Sequence, residues 1–81
     1  MRVKVKFFAA PREAIGCSEI EQDLPAGATV RTLLDEIMAE YPVLSRHVEA
    51  MSMAVNRQYV GLDAELSDGD VVACVPPVGG G

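Results

Sequence analysis

Lysine is scarce in this chain. It occurs only at Lys4 and Lys6, and 12 acidic residues outnumber seven basic ones, for a net charge of −5 and a pI near 4.6. A chain so charged has no basic stripe with which to neutralise the phosphates of a nucleic acid, so DNA and RNA are not expected partners. Cysteine is scarcer still. Cys17 and Cys74 are too few and too far apart for a disulfide framework or a paired zinc site, and both read as reduced structural thiols. Long apolar runs are also missing. The longest, Val71 to Val78, is interrupted by Pro76 and Pro77 and falls well short of the ~20 residues that cross a bilayer. The N-terminus alternates charged and apolar side chains where a signal peptide would be continuously hydrophobic, so the chain is expected to stay in the cytoplasm. His47, the single histidine, has no serine or cysteine companion at a telling spacing, and no nucleophile, base and orienting group converge. An enzyme acting alone is therefore not expected.

What is present suits one small domain. The 81 residues are 49% apolar and 23% charged, ordinary values for a globular chain with a single core. Arg2 to Phe8 alternate strictly: Val3, Val5 and Phe7 share one side, and Lys4 and Lys6 the other, as in a half-buried strand. The same alternation carries Phe8 onto the lysine side. An exposed aromatic there would suit a partner, unless the strand ends or bulges before it. Pro11 and Gly16 mark a turn, with a short helical piece at 12–15, and Cys17 to Leu24 alternate as a second strand.

Pro25-Ala26-Gly27 breaks that strand, and Thr29 stands as the N-cap of a helix. Val30, Leu33, Leu34, Ile37, Met38 and Tyr41 then form one apolar stripe with helical spacing, ended by Pro42. Val43 to Met51 suits a short helical turn. Met53 and Val55 alternate, Asn56-Arg57-Gln58 reads as a turn, and Tyr59-Val60 as a brief return strand. Ser67-Asp68-Gly69-Asp70 reads as a turn rather than a metal site. Val71 to Val75 follow as a buried strand holding Cys74 as an inert thiol. The order predicts an α+β arrangement, a mixed sheet covered on one face by a helix, with the last strand beside the first in parallel. Residues 1–75 form the expected domain.

Residues 76–81 form an expected extended, flexible tail, Pro76-Pro77-Val78-Gly79-Gly80-Gly81. The prolines favour an extended path, and the glycines remove every side chain from the end. Six extended residues reach roughly 20 Å, enough to enter another protein's active site through a channel that bulkier residues would block. A terminal carboxylate is an anion at neutral pH and a poor electrophile. Condensation with ATP would convert it to an acyl-adenylate open to attack by sulfur.

Phe7-Phe8-Ala9, Arg12-Glu13, Gly16, the helix entry Pro25-Ala26-Gly27-Ala28-Thr29-Val30, Leu33-Leu34, Leu66-Ser67-Asp68-Gly69-Asp70 and the Pro-Pro-Val-Gly-Gly-Gly end occur in an order and spacing that resemble the molybdopterin synthase small subunits, a family of ubiquitin-like sulfur carriers. Gly79 departs mildly from that pattern, which has a variable residue there, and the Gly80-Gly81 pair is intact. The resemblance implies a ubiquitin-like β-grasp fold. It also implies that Gly81 is adenylated by a ubiquitin-activating-like adenylyltransferase that consumes ATP. A cysteine desulfurase or rhodanese would then supply the sulfur that makes the thiocarboxylate. Gly80 would allow threading into the large synthase subunit, and sulfur would pass to cyclic pyranopterin monophosphate in a heterotetramer of two small and two large subunits. Phe8, Leu62, Pro76, Pro77, Val78 and Gly79 are the expected partner-binding residues, with no metal or resident cofactor. Three other readings share parts of this pattern: a carrier for thiamin synthesis or tRNA thiolation, a ubiquitin-like modifier of lysines, and an interaction module without acyl chemistry.

Overall fold

The computed structural model describes residues 1–77. Five strands, β1 (Arg2–Phe7), β2 (Glu19–Asp23), β3 (Ser52–Val55), β4 (Gln58–Val60) and β5 (Val71–Val75), form one sheet in the order β2-β1-β5-β3-β4. Between them lie helices α1 (Ala9–Ile15), α2 (Val30–Glu40) and α3 (Ser45–Val48), the last preceded by a 3₁₀ turn at Pro42–Leu44. β5 runs parallel to β1 and antiparallel to β3, and the other pairs are antiparallel. The expected mixed sheet with helices on one face is what the chain forms, a ubiquitin-like β-grasp. None of the helices among the described residues is long and apolar enough to cross a membrane.

The alternation in β1 decides which face is covered. Val3, Val5 and Phe7 join Val72 and Cys74 of β5 in one buried cluster, and α2 closes over it with Val30, Leu33, Leu34 and Ile37. Fully burying side chains of this kind stabilises the fold by about 1.5–3 kcal/mol each, which makes this the dominant favourable contribution. Thr29 caps α2 as expected. Its Oγ1 accepts from the Thr32 N–H at 3.3 Å, while Thr32 Oγ1 accepts from the Thr29 N–H at 3.2 Å. Threonine thus replaces the usual Glu or Gln of a capping box.

Several elements differ from the sequence expectation. α1 begins at Ala9 rather than residue 12, and Ala9 has φ 51°, in the left-handed region that a Cβ disfavours. That abrupt turn lets the helix start directly after Phe8. The β3–β4 loop has only two residues, Asn56 (φ 50°) and Arg57 (φ 72°), between the paired Val55 and Gln58. Positive φ at both positions matches the twist of a tight hairpin. β5 is buried only on its helix side. Val72 and Cys74 are enclosed, whereas Val71, Ala73 and Val75 are half-exposed on the opposite face. The expectation of a wholly buried strand is thereby corrected, because helices cover only one face of the sheet. Cys17 is exposed and packs no core, so the structural-thiol reading holds for Cys74 alone.

Candidate functional site

β5 lies between β1 and β3 at the centre of the sheet, so whatever follows Val75 leaves from the middle of the molecule. The anchoring begins upstream, in the turn before β5. Asp70 Oδ2 accepts from the Ser67 N–H at 2.8 Å, and the Asn56 side-chain amide donates to Asp70 Oδ1 at 3.0 Å. The Val71 N–H then donates to Asn56 Oδ1 at 3.0 Å. Asp68 accepts from the Arg2 N–H at 2.8 Å. Both aspartates therefore act as turn-formers that fix where β5 starts. Pro76 is half-buried and Pro77 exposed beyond the strand's end. Val78, Gly79, Gly80 and Gly81 lie outside the described residues.

On the uncovered face the register aligns Lys6, Ala73, Ala54 and Tyr59 in one row across four strands. Phe8 extends β1 by one residue. Its backbone is still extended (φ −132°, ψ 153°) and its side chain is 44% exposed. It lines a groove of about 450 Å³ with Lys6, Val71, Ala73, Asn56 and Arg57. The alternation thus continues through Phe8 even though strand pairing stops at Phe7. Tyr59, 72% exposed, marks the far edge of the same face. An apolar strip therefore runs over β5 and β3, bordered by Lys6 and Arg57 and ending beside the root of the tail.

Charge on the neighbouring edge is internally neutralised. Arg2 Nε pairs with Asp23 at 2.9 Å, and Lys4 Nζ with Glu19 at 3.5 Å. The guanidinium beside it holds the Asp23 carboxyl below its usual range, chiefly by hydrogen bonding. Lys6 has no carboxylate within ion-pair distance among the described residues. It remains available to a partner.

Leu62 is not brought together with Phe8. Its carbonyl accepts from the Arg31 N–H at 3.0 Å, which ties it to the start of α2 on the covered side. There it lines a second groove with Leu34, Val48, Met51, Met53 and Val60, which Tyr59 of the edge strand also borders. The apolar residues that do share the open face, Val71, Ala73, Val75 and Tyr59, were missed by the sequence reading. A signal existed: a strand apolar at every position, in a sheet covered on one side, must leave apolar side chains uncovered.

Cys74 is fully enclosed, and burial pushes its thiol up from 9.0 to about 12. At neutral pH it is neither a thiolate nor accessible, which leaves it no nucleophilic role. No cluster of His, Cys, Asp and Glu suited to a metal occurs among the described residues. His47 is half-buried beside Arg46, near Pro76 and Pro77.

Comparison with known proteins agrees with this architecture. The model of the ThiS family matches residues 5–81. The molybdopterin synthase sulfur carrier subunit of Chlamydomonas reinhardtii is 41% identical over 83 residues, with 100% of each chain covered. Among solved structures, SAMP1 of Haloferax volcanii, a small archaeal modifier protein, superposes with a TM-score of 0.92 at 27% identity and full coverage of both chains. The complex of subunits 1 and 2 of molybdopterin-converting factor from Helicobacter pylori 26695 contains a chain that matches with a TM-score of 0.75 at 28% identity, again over both full lengths. A one-face-covered mixed sheet, a central last strand feeding a Gly-rich end, and a family match over nearly the whole length lead to one conclusion: the chain belongs to the ThiS family of ubiquitin-like sulfur carriers.

Proposed function

We propose that this protein is the sulfur-carrier subunit of a molybdopterin synthase and that Gly81 bears the sulfur. A cytoplasmic ubiquitin-activating-like adenylyltransferase condenses the Gly81 carboxylate with ATP, releasing pyrophosphate. A persulfide from a cysteine desulfurase or rhodanese, with a thiol reductant, then displaces AMP and leaves a thiocarboxylate. Gly80 and Gly79 keep the approach free of side chains, so the loaded end passes into the large subunit and gives its sulfur to cyclic pyranopterin monophosphate. A dithiolene needs two sulfurs, which suits a heterotetramer of two carriers and two large subunits.

The observation that carries this reading is the meeting of two features at one end of the sheet. The central strand β5 releases Pro76 and Pro77 beside an apolar open face bearing Phe8. A partner that docks on that face is positioned to receive the tail, and the same face serves the activating enzyme and the large subunit in turn. Phe8, Pro76 and Pro77, with Val78 and Gly79, are the proposed contacts. Leu62 would contribute through its own groove on the covered side. The likeness to the Chlamydomonas carrier supports the molybdopterin pathway over thiamin synthesis or tRNA thiolation. The likeness to the archaeal modifier supports a second reading, conjugation of Gly81 to lysines.

The test is reconstitution with the activating enzyme, ATP and a sulfur source, followed by the large subunit and the pterin precursor. Intact mass should show replacement of one oxygen by sulfur, and dithiolene product should follow. A terminus that stays unmodified would eliminate the carrier reading. Thiocarboxylate formation without pterin product would move the chain to another pathway.

A further inference from the structure

Twelve acidic side chains are spread through this chain, yet none of those in the described residues lines the hollow at the root of the tail. Its wall is apolar, from Ala9, Pro11, Ala50 and Met51, and its charged or titratable groups are Arg46 and His47. Pro76 and Pro77 form the side from which the tail departs. Arg46 is exposed. Among the described residues its guanidinium has no ion pair, unlike Arg2 and Lys4. Glu49, three residues further along, lines the groove with Leu62 instead. Pro76 and Pro77 thus sit on an apolar collar that, among the described residues, carries a cation without an ion-pair partner.

Geometry makes this collar part of any tail-receiving interface. Gly81 lies four residues beyond Pro77, and four residues span at most ~14 Å. A partner whose reactive groups reach Gly81 must therefore bring its surface close to the hollow. Closing apolar surface over Arg46 strips water from a full charge. Left unpaired, that is strongly unfavourable, whereas an opposing carboxylate offsets it with a charge-assisted hydrogen bond.

We propose that Arg46 is a charge-selecting docking residue, and that the proteins that accept this tail present a carboxylate to it at the mouth of their tail channel. Resting on the sulfur-carrier reading for the existence of such partners, this inference adds what they must look like there. Surfaces with a basic or uncharged mouth are rejected, which separates true partners from other proteins able to hold a Gly-Gly end. Because activation and sulfur delivery use the same tail, the requirement falls on both the activating enzyme and the accepting subunit. His47 supplies a second donor on the same rim.

The experiment compares the full-length chain with Arg46→Glu, Arg46→Ala and Arg46→Lys. Adenylation by the cognate activating enzyme is followed against carrier concentration, and binding to the accepting subunit by titration calorimetry. Arg46→Glu should raise the KM for the carrier at least tenfold with kcat within about twofold, and weaken binding to the accepting subunit comparably. Arg46→Ala should fall between, and Arg46→Lys should stay nearest the parent. Added salt should weaken the parent more than Arg46→Ala. Thermal melting should be unchanged throughout, since the side chain is exposed. If the parent is adenylated while Arg46→Glu shows the same KM and Kd, or tighter ones, the inference falls alone. If the parent itself is not adenylated, the carrier reading falls and takes this inference with it.

Discussion

Phe7 lies beside Cys74 in the parallel ladder between β1 and β5. Because the two strands run the same way, the residues that follow, Phe8 on one and the Val75-Pro76 root of the tail on the other, leave the sheet at the same end. Phe8 and the Pro76-Pro77 exit, far apart in sequence, thereby share one edge of the sheet.

Phe8 and Tyr59 should dominate docking in unequal measure. Phe8 is already about half covered, so complete burial by a partner adds only part of the ~3 kcal/mol that a large side chain can provide. Phe8→Ala should therefore weaken partner binding roughly tenfold. Tyr59, more exposed, should show a larger loss on change to alanine. Calorimetry with the large subunit measures both, and unfolding curves should place both variants close to the parent in stability. Equal affinity in all three proteins would remove the open face from the interface.

Removal of Gly80 and Gly81 should abolish thiocarboxylate formation while leaving the melting temperature unchanged, since β5 closes at Val75 and, among the described residues, the core cluster contains nothing beyond Cys74. Mass spectrometry after reconstitution and a calorimetric scan check the two halves. Sulfur loading by the shortened chain would contradict the assignment of Gly81.

The two thiols should separate cleanly. A disulfide reagent at neutral pH should titrate Cys17 alone in the native protein, and both cysteines after unfolding, because Cys17 is exposed and Cys74 buried. The raised thiol value of Cys74 also has a sign. The native state keeps its proton while the unfolded chain loses one above about 9.0. The stabilisation is fully present below that pH and is lost as pH rises from 9.0 to about 12. The decline should be about 1.4 kcal/mol per pH unit from this group. Urea unfolding across that range should show this slope in the parent and lose it in Cys74→Ala. An equal slope in both would mean that other groups carry the alkaline transition.

Thr29→Ala should destabilise the fold by about 1 kcal/mol, because it removes the side-chain acceptor of the Thr32 N–H and breaks the reciprocal pair. Denaturant midpoints measure the loss. Sulfur loading at a temperature where the variant is folded should match the parent, since the cap lies at the start of α2 and away from the tail.

Local elements were legible because their causes are local. The alternation in β1, the apolar stripe of α2, the Thr29 cap and the Asp68-Gly69-Asp70 turn each express a periodicity or a short-range hydrogen bond written in adjacent residues. The early start of α1 was not legible, since nothing in the composition of Ala9 announces a left-handed backbone. Leu62 and Tyr59 show the same gap at the site. Both are apolar residues near a turn, and only the β3–β4 register and the Arg31 hydrogen bond send Tyr59 to the open face and Leu62 to the helix side.

By itself, the amino-acid sequence determined that one small α+β domain forms and which side of β1 is buried, and it singled out the Gly80-Gly81 pair as the proposed seat of the chemistry. Tertiary structure alone decided what surrounds the Pro76-Pro77 exit. The parallel pairing of β1 with β5 put Phe8 beside the tail root, one-sided helix cover left Val71, Ala73 and Val75 facing outward, and packing of α1 and α3 placed Arg46 at the exit. Sequence periodicity reports which face of an element is apolar. Neighbours across strands and between layers arise from long-range burial, which no local pattern records.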